Sequence, residues 1–296
     1  MKAINIPITY EIKDQQTSEQ STKQFYDEAT EDYEFWSKDF NMHFGYFRMF
    51  KTNPLRRDSM LNEMNKQILS RLTLKSEKNT LADLGCGMGG TMRYALTNYP
   101  YKSQHIFGVT LSPFQVHEGN KLLQGLNGLI LEENYNNTSF KNNSIDGAYA
   151  IESFCHDGHS NSSFKEAYRI LKPGAKLVVA DAFLKKKPSE LCYGSRFCYS
   201  QLCKGWNLKR LASIEILEKE LSEIGFSNIS IEDKSFRVAP SVFHVPFAIT
   251  GFILRKLFRR KPLKKESWNN LKGSLFALLS GLHMKSFGYY LITVTK

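Results

Sequence analysis

Apolar positions along the chain follow two spacings. From Ser21 to Leu74 they recur at helical intervals: Phe25, Tyr26, Tyr33, Phe35 and Trp36 cluster first, and Met60, Leu61, Met64, Ile68, Leu69 and Leu72 continue as the stripe of an amphipathic helix. Short apolar runs bounded by turn residues then recur at 80–84, 105–110, 128–132, 145–151 and 176–181, each followed by a helix or a turn. Such alternation predicts one parallel sheet with helices on both faces, and ligands at the carboxyl ends of its strands. A helical segment is expected around 208–224 (Leu211, Ile214, Ile216, Leu217, Leu221), then a strand near 228–236. The last strand, Tyr289–Thr295, suits a hairpin partner of the strand before it, so the long stretch between them reads as a lid. The expected organisation is a flexible segment 1–20, a helical N-terminal cap 21–76, a core 77–238, an apolar and basic lid 239–286 and a final core strand 287–296.

The first strand runs into Asp83-Leu-Gly-Cys-Gly-Met-Gly-Gly90. Glycines at 85, 87, 89 and 90 let a ligand lie against the backbone, and the helix that follows turns its positive end toward it. Gly85, Gly87 and Gly90 also satisfy the G-x-G-x-x-G pattern of dinucleotide sites. That pattern wants an acid about 20 residues further on for the ribose, and the strand Gln104–Thr110 ends in threonine instead. Asp83, ahead of the first glycine, is placed to meet a charged amino group.

Asp83-x-Gly85-x-Gly87-x-Gly89 resembles motif I of the class I S-adenosylmethionine (SAM) methyltransferases. Phe140–Asp146 is similar to the P-F-x-D-x-S-F-D run of that fold, and Tyr168–Gly174 to its R-V-L-K-P-G-G turn, with Ala175 replacing the second glycine. The likeness covers residues 78–184 and implies a Rossmann-like fold with a seven-stranded, mostly parallel sheet whose last strand is antiparallel. It also implies SAM as cofactor, held by Asp83, Gly85, Gly87 and Gly89.

Gly108–Gln115 resembles the G-V/I-T-L-S-x-x-Q segment shared by tocopherol, sterol and geranyl diphosphate C-methyltransferases and cyclopropane fatty acid synthases. By that resemblance Thr110 and Gln115 lie near the cofactor in place of a ribose-binding acid. Asn134, with Tyr135 beside it, falls where an aspartate usually meets the adenine amino group, and an amide oxygen accepts the same hydrogen bond. Ile151–His156 is similar to the E-S/A-x-x-H of the sterol and tocopherol enzymes. Glu152 is therefore expected beside the transferred methyl, as a cofactor contact and as a carboxylate that stabilises a cation or removes a proton. The alternative is a carboxylate that only holds the cofactor or caps a helix. His156 is a candidate general base, with a structural histidine as the alternative. Asn41–Phe47 resembles helices that close over SAM, so Tyr33, Trp36, His43 and Tyr46 are candidate substrate-binding aromatics, against a plain core role.

Composition narrows the partners. At 296 residues and 42% hydrophobic content the chain has enough apolar material for a full core. Its cysteines (86, 155, 192, 198, 203) show no C-x-x-C spacing, so no metal is expected. Met1–Pro7 carries no signal-peptide core, and a cytoplasmic location is the expectation. Net charge is +11, much of it in Arg255–Lys265, directly after the apolar run Val242–Leu254. That run holds Pro246 and Gly251 and falls short of the ~20 residues needed to cross a bilayer. It suits peripheral membrane contact through 242–265, or a cover over a greasy substrate. No RNA-binding signature accompanies the charge. The function expected is methyl transfer to a small apolar acceptor, a carbon of an isoprenoid, sterol, quinol or lipid. The alternatives are O- or N-methylation of a polar metabolite, RNA methylation, or a non-catalytic SAM-binding partner.

Overall fold

The computed structural model describes residues 19–74, 78–98, 103–258 and 264–296, with the side chains of 28–35 left out. The segment 1–18, the side chain of Tyr33 and the cations Arg259, Arg260 and Lys261 thus lie outside the described residues.

All seven expected strands form: β1 (Lys78–Leu84), β2 (Ser103–Thr110), β3 (Gly128–Glu132), β4 (Ile145–Ile151), β5 (Leu171–Leu184), β6 (Ser227–Asp233) and β7 (Phe287–Thr295). They lie in the order β3-β2-β1-β4-β5-β7-β6. The first five are mutually parallel, and β7 slots antiparallel between β5 and β6, so it is a hairpin partner of β6 as expected. Strand alternation splits the core in two: Ala82, Leu84, Leu177 and Val179 face one apolar cluster, while Leu81, Tyr149, Val178 and Ala180 face another. The order of neighbours reverses at β1, between β2 and β4. That is the switch point where such sheets leave a crevice.

The cap consists of α1 (Glu19–Trp36) and α2 (Arg57–Arg71), the latter burying Met60, Leu61, Met64, Ile68 and Leu69. Asn41–Phe47, expected to be helical, is irregular instead. Its amide donors are taken by other elements: Gly45 N donates to Ser241 Oγ at 2.7 Å and Tyr46 N to Met60 O at 2.8 Å. Gly45 lies so close to α2 that a Cβ there would stand 2.5 Å from Met60 Cβ. Packing across the chain thus overrides a local helical preference.

Helices α3 (Gly90–Asn98), α4 (Pro113–Leu122) and α5 (Asn161–Ile170) complete the parallel units. Past β5 the structure departs from the sequence reading. A helix the pattern did not announce, α6 (Tyr193–Gly205), precedes α7 (Ile214–Ile224), which starts later than residue 208. Leu208 and Leu211 sit in irregular chain and pack with Tyr199 and Leu202 of α6, where Tyr199 Oη accepts from Leu211 N at 3.1 Å.

The lid is helical: α8 (Ser235–Val242), α9 (Val245–Phe258) and α10 (Lys265–Leu282). Helix α8 starts where the sequence suggested the end of a strand: Asp233 Oδ1 accepts from Ser235 N at 2.9 Å and from the Ser235 hydroxyl at 2.5 Å, which closes a turn directly after β6. Ser235–Phe258, in which a short turn joins α8 to α9, is 24 residues long and apolar enough to cross a membrane by length and composition only, and the run Val242–Leu254 read from sequence lies within it. Helix α10 presses on α6 through small residues: a Cβ on Gly205 would stand 2.4 Å from Gly273 N.

Candidate active site

At the carboxyl ends of β1, β2 and β4 lies a cavity of about 90 Å³. Asp83, Gly85, Gly87, Thr110, Gln115, Tyr135, Glu152, His156 and His43 all line it, so most residues singled out from the sequence converge here. The glycines differ in what they do. Gly85, Gly87 and Gly89 have φ of +92°, +54° and +72°, the left-handed region that disfavours side chains. A Cβ on Gly85 would stand 2.4 Å from Ser153 Cβ, so its bareness seats β4 against the turn. A Cβ on Gly87 would meet only the side chain of Met42 within 4 Å, which leaves this backbone as the cavity's own wall. At Gly89 the neighbours are Ile130, Met92 and Leu123, and Gly89 does not line the cavity.

Asp83 is 3% exposed at the end of β1. Burial pushes its carboxyl up to about 8, and the Tyr149 hydroxyl offsets only part of the cost. Among the described residues no cation pairs with it, so the site suits a ligand that brings positive charge. Thr110 Oγ1 donates to Gln115 Oε1 at 2.6 Å, and both side chains are buried at the rim. Tyr135 Oη donates to Ser153 O at 3.1 Å while its ring lies 5.2 Å from that of Phe154. Asn134 stands outside the lining, and its Oδ1 accepts from Asn136 N at 2.9 Å in a local turn.

A second cavity of about 390 Å³ opens under the lid. Its walls are apolar, drawn from Phe25, Phe44, Trp206, Leu211, Val238, Val242 and Phe287, and among the described residues they carry no Lys or Arg. Glu152, His156, Tyr26 and Met42 border both cavities. Glu152 also borders a third, smaller space beneath α9 and α10, where Trp36 and His43 lie. Tyr46 lines none of the three and packs in the core with Met64 and Ile68. Trp36 donates from Nε1 to His43 O at 3.2 Å, and the guanidinium of Arg57 sits 4.6 Å from its ring. The His43 ring nitrogens stand 2.9 Å from Phe44 O and 3.0 Å from Asn65 Oδ1, and burial lowers its pKa.

Glu152 adopts φ +50°, a strained conformation that aims its side chain off the strand end. Its Oε1 accepts from Phe44 N at 2.7 Å and from Tyr289 Oη at 2.9 Å. Burial nevertheless raises its pKa to about 8. His156 is driven the other way, to about 4, chiefly by burial, and its Nε2 lies 2.5 Å from Tyr26 Oη. Asp181, in β5, accepts from Cys155 N at 3.0 Å and lies 3.2 Å from His159 Nε2. His159 Nδ1 accepts from Ala212 N at 3.4 Å, which leaves the proton on Nε2 to face Asp181.

Tyr26, Met42, Asp181 and Tyr289 belong to these walls and escaped the sequence reading. Only Asp181 carried a usable signal, an acid near the end of an apolar strand, as Asp83 is. Tyr26 fell in the apolar pattern of the cap, Met42 in the Asn41–Phe47 segment without a role of its own, and Tyr289 at the start of the last strand.

Residues 82–179 match the methyltransferase domain family called Methyltransf_11. With the sheet order and the switch-point cavity, this means that the chain carries a methyltransferase domain on a class I, Rossmann-like fold. Among curated proteins it is similar to the sterol 24-C-methyltransferase of Eremothecium gossypii, 24% identical over 237 residues, which is 78% of this chain and 60% of that protein. The chain spans about half the length of the curated relatives it matches. Its fold is shared with the cyclopropane synthase MmaA2 of Mycobacterium tuberculosis, at TM-score 0.77 and 18% identity over 95% of this chain and 100% of that one. The geranyl diphosphate C-methyltransferase of Streptomyces coelicolor, solved with Mg2+, geranyl diphosphate and S-adenosylhomocysteine, aligns at TM-score 0.68 and 17% identity over 94% and 97% of the two chains.

Proposed function

We propose that the protein is a SAM-dependent methyltransferase that methylates a carbon of a small, uncharged, apolar acceptor such as an isoprenoid, sterol, quinol or lipid. The observation that carries this reading is the position of Glu152 on the wall between a polar cavity at the glycine turn and a larger apolar one. Bound SAM supplies an electrophilic methyl on a positively charged sulfur. Asp83 receives the cofactor's ammonium group, and the backbone at Gly87 forms the floor on which it lies. Thr110, Gln115 and Tyr135 line the remainder of that cavity.

The apolar walls hold the acceptor against that methyl and keep water away, so proximity and alignment supply much of the rate. Methylation of an alkene carbon leaves positive charge on the acceptor. Glu152 stabilises that charge, held in place by Phe44 N and Tyr289 Oη. It is also the better base, since its pKa of about 8 stands far above the value of about 4 for His156. His156, neutral and joined to Tyr26, orients the wall that both cavities share. The missing Lys and Arg in the described lining favour an uncharged acceptor over a diphosphate.

Incubating the protein with methyl-labelled SAM and separate panels of sterols, quinols, isoprenoid alcohols and water-soluble amines tests the reading. Label is expected in the solvent-extractable fraction. Label confined to the amines would sink the apolar-acceptor reading.

A further inference from the structure

The lid that roofs the acceptor cavity turns an unusual surface outward. On α8, α9 and the turn between them, Phe236 is 78% exposed, Phe243 57%, Phe247 77%, Leu257 67% and Phe258 86%. In the most apolar window of Ser235–Phe258 only 22% is buried inside the protein. Helix α8 is nevertheless anchored to the body, since Ser241 Oγ accepts from Gly45 N and Arg237 O accepts from Phe47 N at 2.7 Å each. The pair therefore lies along the domain with one flank bare.

A second segment adds to this flank. The turn at 48–56 sits at the α8–α9 corner, where His244 Nε2 donates to Pro54 O at 2.6 Å. It carries Phe50 at 99% exposure and Leu55 at 85%. Two segments distant in sequence thus bring bare aromatic and aliphatic side chains to one corner, more than scattered surface residues explain. The charge matches one kind of partner. From Ser235 to Lys265 the sequence holds Arg237, Arg255, Lys256, Arg259, Arg260, Lys261, Lys264 and Lys265 and no acid. Apolar side chains beside a cationic run are what an anionic lipid surface attracts. Phe236, Phe243 and Leu282 line the 390 Å³ cavity and are themselves more than half exposed, so the cavity opens on this same face.

We propose that the face formed by α8, α9 and the 48–56 turn docks on an anionic bilayer, and that the acceptor passes from the lipid into the cavity through the opening at Phe236, Phe243 and Leu282. The acceptor half of this inference rests on the apolar-acceptor reading above; the docking half stands on the surface alone. An uncharged lipid is scarcely present in water, so an opening that meets the bilayer removes the need for it to cross solvent.

The test uses the full chain with vesicles of phosphatidylcholine, alone or mixed with phosphatidylserine, and in parallel titrates S-adenosylhomocysteine by calorimetry. Wild type is expected to sediment with the mixed vesicles at low salt, to bind phosphatidylcholine alone at least tenfold more weakly, and to lose affinity as salt rises. The triple variant Phe50→Ser, Phe247→Ser, Phe258→Ser touches no cavity wall. It should bind mixed vesicles at least tenfold more weakly while keeping S-adenosylhomocysteine affinity within twofold. Lys264→Glu with Lys265→Glu gives a second set of altered positions in which binding should fall and salt dependence flatten. Wild type that ignores mixed vesicles at low salt, or a triple variant that binds them as wild type does, overturns the docking. So does a wild-type dimer that the triple variant converts to monomer without any vesicle binding, since the face would then join two copies. Vesicle binding without S-adenosylhomocysteine binding instead removes the methyltransferase reading and the acceptor route, and leaves the docking face standing.

Discussion

The cavity at the glycine turn and the cavity under the lid share a wall yet are built by opposite means. The first is assembled from strand ends and the turns that follow them, where backbone conformation and buried charge dominate: positive φ at Gly85 and Gly87, and an acid held near a pKa of 8 at Asp83. The second is assembled largely from α6, α8, α10 and β7, where side-chain bulk dominates and the acids among the described lining residues are Glu152 and Asp181. A site for a charged ligand must be rigid, because unpaired dipoles and charges are costly to bury. A site for an apolar acceptor needs only shape and the exclusion of water.

The sharpest way to break this contrast is at the shared wall. Glu152→Gln keeps the shape of both cavities and removes the charge, and turnover should fall by ~10²–10⁴ with SAM affinity little changed. Radiolabel transfer checks the first and calorimetry the second. In wild type, kcat/KM should rise with pH, reach half its plateau near 8 and level off above it, because Glu152 is half-ionised at about that value.

Asp83→Asn acts on the polar cavity alone, with an expected ~10- to 100-fold loss of SAM affinity, the worth of a hydrogen bond between charged groups. The same carboxyl sets a stability signature. Its folded pKa is raised, so the native state holds the proton more tightly than the unfolded chain. Stability contributed by the neutral form is therefore present below the ordinary carboxylate range and lost as pH rises toward about 8. Asp83→Asn should then melt at a higher temperature than wild type at pH 9 and close to it at pH 4. An equal melting difference at both pH values would show that the carboxyl is not buried unpaired.

Comparing two glycines separates packing from ligand approach. Gly85→Ala drives a Cβ into Ser153 at a φ of +92° and should cost ~2 kcal/mol or more of stability, read from denaturant midpoints. Gly87→Ala meets only the flexible end of Met42, so it should destabilise by ~1–2 kcal/mol, with the larger effect falling on cofactor affinity.

Tyr289→Phe removes one of the two hydrogen bonds that favour the Glu152 carboxylate. Turnover should drop by roughly threefold to tenfold, about 1 kcal/mol for a single hydrogen bond, and the rising limb of the pH profile should move to higher pH. An unmoved limb would remove Tyr289 from control of that carboxyl. The smallest effect is expected at Asn134, whose side chain serves its own turn: Asn134→Ala should change SAM affinity by less than about threefold.

The sequence by itself determined the sheet and the polar cavity. Strand periodicity is a local property, and the motif from Asp83 to Gly90 needs only the strand before it and the helix after it to become a ligand turn. For that reason all seven strands lie where the pattern put them, and Asp83, Gly87, Thr110 and Gln115 meet at one crevice. Only the tertiary structure decided the cavity under the lid. Whether Tyr26, Tyr46 or Tyr289 faces a cavity or the core depends on which distant segments pack beside it. Tyr26 and Tyr289, from a helix and a strand, line the cavity under the lid, whereas Tyr46 packs in the core. The loop at Asn41–Phe47 gives up its helix because Ser241 and Met60, far along the chain, take its amide donors. Glu152 gains its partners in the same way, from Phe44 and Tyr289. Apolar packing is non-directional, so its outcome is fixed by the whole set of neighbours rather than by the order of residues along any one segment.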